Sequence, residues 1–177
     1  NLNDPADLSQ PHPILGDSKV RQAISLAIDK TVLADKLLFG RATVATSAIP
    51  LGWAADDSIP PMPYDPEAAN ALLDEAGWVM GSDGIRSKDG QKLAIKIMTT
   101  TGSELRLLAQ QVMQEQLRAV GIELVIENVP SSVMFGNWES NGPLKRGQFD
   151  MGMDTWGPDL DPADYMAIRF SSTQIPS

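Results

Sequence analysis

Residues 93–129 constrain the fold most. They read "LAIKIMTTTGSELRLLAQQVMQEQLRAVGIELVIENV". Leu93, Ile95 and Ile97 alternate with a period of two, as a strand with one buried face requires. Ser103 can cap a helix running to about Val120. Leu105, Leu108, Ala109, Val112, Met113, Gln116, Leu117 and Val120 line one side of it, and Gly121 stops it. Residues 122–129 read as a strand again. Strand, helix and strand over about 37 residues make a βαβ unit, whose crossover is right-handed and whose strands are parallel. A sheet covered by helices follows, so the class is α/β.

The flanking sequence supplies the covering helices. Asp17 caps a helix from Ser18 to about Asp29, with Val20, Ala23, Ile24, Ala27 and Ile28 as its buried stripe. A second helix is expected over 31–39, with Val32, Leu33, Leu37 and Leu38 inward and Gly40 at its end. Residues 43–63 carry four prolines and read as a long loop, a feature usually functional or mobile. In "YDPEAANALLDEAGW" (64–78), Asp65 is the cap, Pro66 takes the first helical position and Gly77 the left-handed exit. Ala69, Leu72, Leu73 and Ala76 share one face of that helix. Asp89-Gly90 turns a hairpin. A short helix is expected near 131–139 and a strand at "FDMGMDTWG" (149–157). Asp161 and Pro162 open a last helix to about Phe170.

Composition excludes several functions. Lys+Arg is 14 and Asp+Glu is 23, a net charge of −9. Nucleic acid demands clustered positive charge, so it is not an expected partner. Without cysteine there is no disulfide framework, thiol nucleophile or cysteine–metal site. No apolar run is long enough to span a bilayer. The opening "NLNDPADLSQPHPILGD" lacks the basic and apolar regions of a signal peptide and reads as a Pro-broken lead-in. By length the chain is one domain, residues 1–177. Both ends look cut from something longer.

Candidate chemistry is sparse. His12, between two prolines, reads as a surface residue, and no Ser/His/Asp set can be assembled around it. Phosphate loops are absent. Asp154, Asp159, Asp161 and Asp164 do not have calcium-loop spacing. Asp161 reads as a helix cap, Asp164 as a first-turn acid and Asp154 as an outward strand residue. Asp159 follows a strand end, where α/β sheets bind ligands. It is either an ammonium partner, with Trp156 adding ring contact, or a solvated turn residue. Trp78 reads as packing. Trp53 is either a plug over the core or an exposed ligand contact.

Six stretches in order carry a family resemblance. They are "DSKVRQAISLAIDK" (17–30), "FGRATVATSAIP" (39–50), "YDPEAANALLDEAGW" (64–78), "GIRSKDGQKLAIKI" (84–97), "MQEQLRAVGIELVIE" (113–127) and "FDMGMDTWGPDLDP" (149–162). Together they resemble the solute-binding proteins of ABC importers, in the large class that carries oligopeptides, dipeptides and nickel. The resemblance implies one lobe of a type II periplasmic-binding-protein-like fold, with helices packed on a mixed sheet. It implies that residues 1–177 are the second, C-terminal lobe of a protein roughly three times longer. The partners implied are a peptide or small-molecule ligand, the first lobe of the same protein and ABC permease subunits. The site implied is a binding wall of Asp159, Trp156, Gly157 and Met153, with Trp53 as a further contact. Asp159 stands three residues after Trp156, where peptide-binding members place the partner of the ligand's α-amino group. No catalytic residue, metal ligand or cofactor is implied. The place implied is the periplasm or the outer face of the bacterial cytoplasmic membrane, with a lipid anchor as one form. No arginine lies in 149–157 to meet a ligand carboxylate, although Lys145 and Arg146 precede it. Members carrying sugars, opines or metal chelates share the frame. The other readings are an acidic-site hydrolase, which lacks a nucleophile–base pair, and a lobe kept as a sensor or interaction module.

Overall fold

The computed structural model of the chain describes residues 2–47, 55–56, 58–155, 163 and 167. Helix α1 (Ser18–Ala27) starts where expected, with the Asp17 carboxylate accepting from the Lys19 amide at 2.8 Å. It buries Val20, Ala23, Ile24 and Ala27. The Asp29 carboxylate accepts from the Thr31 and Val32 amides and opens α2 (Lys30–Val32), which runs into a π-helical turn at Leu33–Leu37. The regular helix expected over 31–39 is therefore replaced. The wider turn shifts the side-chain phase, so Ala34 is buried while Val32, Leu33, Leu37 and Leu38 are half-buried. Phe39 and Gly40 close the segment at positive φ.

Helix α3 (Pro66–Glu75) is capped by Asp65, which accepts from the Ala68 amide at 2.9 Å. Gly77 ends it at φ 85°. It packs against α1, buries Ala69 and Leu73, and leads to Trp78, which is buried as packing. A strand that the sequence did not signal, β1 (Val79–Met80), joins β2 (Arg86–Lys88) and β3 (Gln91–Lys92) in an antiparallel sheet. Asp89 and Gly90, both at positive φ, form the expected two-residue turn. At the edge of this sheet the Lys92 ammonium, then the Ile85 amide, hold the exposed Asp83 carboxyl below its ordinary range.

Strand β4 (Ala94–Met98), helix α4 (Glu104–Ala119) and strand β5 (Glu123–Ile126) are the expected parallel unit, in register Ile95↔Leu124 and Ile97↔Ile126. After α5 (Ser131–Met134) and α6 (Pro143–Arg146), β6 (Met151–Gly152) pairs with the other side of β4, giving the order β5-β4-β6. Strand β6 is shorter than the 149–157 expected, α5 is shorter than 131–139, and α6 is an addition. The residues expected in the last helix lie largely outside the described ones. Among the described residues the strands thus form two small sheets, one antiparallel and one parallel, with the α/β class intact.

Helix α4 departs from its predicted stripe at one end. Met113, Leu117 and Val120 are buried, yet Leu105 and Leu108 are 44% and 49% exposed. The first turns of α4 therefore leave these two leucines facing solvent. His12 also departs from expectation: it is buried at 5% exposure.

One cation is buried where α3, both sheets and the α4–β5 turn meet. Arg86 is 3% exposed. Its Nε donates to the Val120 carbonyl at 2.9 Å, and its Nη2 to the Asn70 side-chain oxygen at 2.8 Å. Its Nη1 donates to the Trp78 carbonyl and to Asp74. Gly121 leaves the space: it sits at φ 84°, and a Cβ there would lie 2.7 Å from the Arg86 Cγ. The Asp74 side chain is 68% exposed, so the buried carbonyls depend on Arg86 more than Arg86 depends on Asp74. Arg86→Ala is expected to cost about 3–5 kcal/mol of unfolding free energy, because it strands buried acceptors. Asp74→Asn should cost less than about 1 kcal/mol, as solvent already screens that carboxylate. Urea denaturation of both variants distinguishes the two. Equal losses would place the energy in the ion pair instead.

Candidate ligand-binding site

The C-terminal edge of the parallel sheet carries a concentrated polar group. Strand β4 runs out through Thr99 and Thr100, which are 1% and 9% exposed. Beyond β5, Asn128 and Val129 continue alongside them, with a parallel bridge between Thr100 and Val129. Beyond β6, the Met153 amide donates to the Met98 carbonyl at 2.8 Å, and the chain proceeds through Asp154 to Thr155. Three parallel chain exits therefore open on one side, the side where α/β sheets take ligands.

Two side chains on α4 organise that edge. Gln110 is fully buried and makes a reciprocal amide pair with Asn128, at 2.9 and 2.8 Å. The Asn128 Oδ1 also accepts from the Thr99 amide at 2.9 Å, so one side chain joins β4, β5 and α4. Arg106, one turn nearer the helix start, donates through Nη2 to the Thr100 hydroxyl and through Nη1 to the Thr155 hydroxyl at 3.2 Å. Its Nε is buried without a hydrogen-bond partner, as is the Thr99 hydroxyl. Unsatisfied buried groups are rare and call for a physical reason. The Arg106 guanidinium, beside the exposed Asp154, gives this edge charged donors that suit an anionic group such as a carboxylate.

The sequence missed Arg106. A signal was present: a cation in the first turn of a helix opposes the helix dipole, so some other contact must favour it there. Of the residues expected at the site, Met153 is half-buried and packs partly against the main core. Trp156, Gly157, Asp159 and Trp53 lie outside the described residues. Thr155, which Arg106 holds, is the residue directly before Trp156. Neither basic residue ahead of β6 reaches this edge. Lys145 is exposed, and Arg146 lies 4.1 Å over the Trp138 ring while donating to the Trp138 carbonyl.

Comparison with known proteins agrees with this architecture. Residues 1–177 match the family described as bacterial extracellular solute-binding proteins, family 5 middle, and the chain belongs to that family. It is 32% identical over 176 residues to the oligopeptide-binding protein AppA of Bacillus subtilis (strain 168), covering 94% of this chain and 30% of that protein. It is 32% identical over 162 residues to the nickel-binding periplasmic protein of Escherichia coli (strain K12), covering 89% of this chain and 29% of that one. Among solved structures, NikZ from Campylobacter jejuni in complex with Ni(L-His) aligns with a TM-score of 0.79 at 29% identity, over 93% of this chain and 32% of that one. AppA in complex with a nonapeptide aligns with a TM-score of 0.72 at 32% identity, over 92% and 32%. These relatives are named as binding proteins rather than enzymes. The chain spans about 30% of the length of the curated relatives it matches.

Removing Asn128 tests whether the edge is held by its amide pair. Asn128→Ala leaves the Thr99 amide and the buried Gln110 unpaired, which costs about 1–3 kcal/mol for each unsatisfied group. Thermal or urea unfolding should register a loss of at least about 2 kcal/mol. A change below about 0.5 kcal/mol, the level of an ordinary surface substitution, would mean that the pair contributes nothing.

Proposed function

We propose that residues 1–177 form the second, C-terminal lobe of a two-lobed extracytoplasmic solute-binding protein. The whole protein captures an oligopeptide-like solute and delivers it to an ABC permease, with no catalysis of its own. Its place is the periplasm or the outer face of the cytoplasmic membrane. The observation that carries this reading is the polar C-terminal edge built by Arg106, Thr100, Thr155 and the Gln110–Asn128 pair, in a chain of this family. The mechanism is closure of two lobes around the solute, a shift in population between open and closed states.

A free peptide is dipolar, and the lobe has a candidate for each end. Arg106 supplies a guanidinium for a carboxylate. Asp159, three residues past Trp156, supplies a carboxylate for an ammonium; Trp156, Gly157, Met153 and Trp53 would form the wall between solute and lobe. Extended peptide backbone would be met by strand-like hydrogen bonding, with wet pockets accepting varied side chains.

The expected behaviour of variants in the whole protein follows from charge. Asp159→Asn should weaken peptides with a free amino terminus by about 2–5 kcal/mol, the cost of leaving one buried charge unpaired, and N-acetylated peptides much less. Arg106→Gln should discriminate in the same way between free and C-amidated peptides. Calorimetry with the four peptide forms measures both. Equal affinities across all forms, in wild type and variants, would rule out the dipolar clamp, and tight binding of nickel–histidine instead would move the solute class to metal chelates.

One lobe offers half the contacts and leaves the solute in water. The chain of 177 residues alone should therefore show no saturable peptide binding tighter than about micromolar, or ~8 kcal/mol. Nanomolar binding by these residues would overturn the two-lobe reading.

A further inference from the structure

His12 has no part in the proposed binding chemistry, yet it is buried and fully engaged. Its Nδ1 accepts from the Ile14 amide at 3.0 Å and from the Leu15 amide at 2.9 Å. A nitrogen that accepts from amides carries no proton, so the neutral ring bears its proton on Nε2. That nitrogen faces the Asp150 Oδ1 at 3.1 Å and donates to it. The other oxygen of the same carboxylate accepts from the Lys96 amide at 2.8 Å, in the middle of β4. The turn around His12 is itself tight: the Gly16 amide donates to the His12 carbonyl at 2.9 Å, and a Cβ on Gly16 would lie 2.5 Å from that oxygen.

Asp150 is the residue before β6, and β6 is short. Among the described residues after Asp150, Met151 and Gly152 pair with β4, followed by the Met153 bond to Met98. The Asp150 carboxylate extends that pairing by one side-chain bond at its start. Two residues after Met153 comes Thr155, which Arg106 holds at the candidate edge. The lead-in, β4 and the segment entering the candidate site are thus joined through one imidazole and one carboxylate.

We propose that His12 is a positioning residue for the binding site. Through Asp150 it fixes the start of β6, and so the placement of residues 153–155, among them Thr155, which Arg106 holds at the candidate edge. The lead-in of the lobe is in this way coupled to that edge. The functional consequence rests on the binding role proposed above, whereas the structural coupling is measurable without any ligand.

Asparagine separates the two jobs of the histidine. In His12→Asn the side-chain oxygen occupies nearly the place of Nδ1 and accepts from the amides two and three residues on, as Asx turns do. It is too short to reach Asp150. The test is hydrogen exchange of the full chain, comparing wild type, His12→Asn, Asp150→Ala and the double variant. Exchange at the Lys96 and Met153 amides should rise at least about tenfold in His12→Asn, while the Leu73 and Leu117 amides of the core stay within about twofold. Asp150→Ala should give the same local pattern, and the double variant should add little to it, because both single changes break one linkage. An unchanged rate at Met153 in His12→Asn would overturn the proposal. So would a rise shared equally by Leu73 and Leu117, which would make His12 a contributor to general stability only. Additive effects in the double variant would likewise show that the two side chains act separately.

Discussion

The lobe depends on a guanidinium that its own backbone could not replace. The helix exit at Trp78, the helix exit at Val120 and the start of β2 all converge on Arg86. Two of these present carbonyls to an interior with little water, and helix ends always leave such carbonyls to be satisfied. Five donors in a rigid planar fork meet carbonyls from two directions and an amide oxygen from a third. A lysine is a point donor and would leave at least one of them unpaired. The fork also explains Gly121, whose missing side chain makes room for the arginine stem.

This places the most recognisable part of the sequence in the scaffold. "NALLDEAGW" and "GIRSKDG" are near neighbours in the chain and "AVGIEL" lies well beyond them, and each donates a part of one network: Asn70, Asp74 and Trp78 from the first, Arg86 from the second, Val120 and Gly121 from the third. Their joint presence reports how the lobe is held together rather than what it binds. That accords with relatives whose names specify solutes as different as oligopeptides and nickel. A shared fold is compatible with different solutes, because function lives in a few side chains placed on it.

The edge itself shows how polar groups can be buried without loss of order. Asn128 and Gln110 satisfy one another completely, and Asn128 takes the Thr99 amide as well. Next to them Arg106 is left incompletely bonded at Nε. A satisfied pair fixes geometry, while an incompletely satisfied cation keeps capacity for a further partner. Rigid support beside a guanidinium is an arrangement that binding sites use.

Local signals in the sequence determined the elements. The caps Asp17, Asp65 and Ser103, the exits Gly77 and Gly121, the Asp89-Gly90 turn and the alternation of Leu93, Ile95 and Ile97 were all legible, because each is a contact between residues a few positions apart. The parallel pairing of β4 and β5 was legible too, since a single crossover permits one handedness. Only the tertiary structure decided the rest. Strand β1 needs β2 beside it, the exposure of Leu105 and Leu108 depends on what packs against the first turns of α4, and the π-turn at Leu33–Leu37 rephases a stripe that periodicity alone would continue. His12 looked like a surface residue because the partner of its ring, Asp150, is 138 positions away. Arg86 and Arg106 did not stand out in the sequence for the same reason: their partners lie on other elements, and an arginine's partners leave no periodic trace in a sequence.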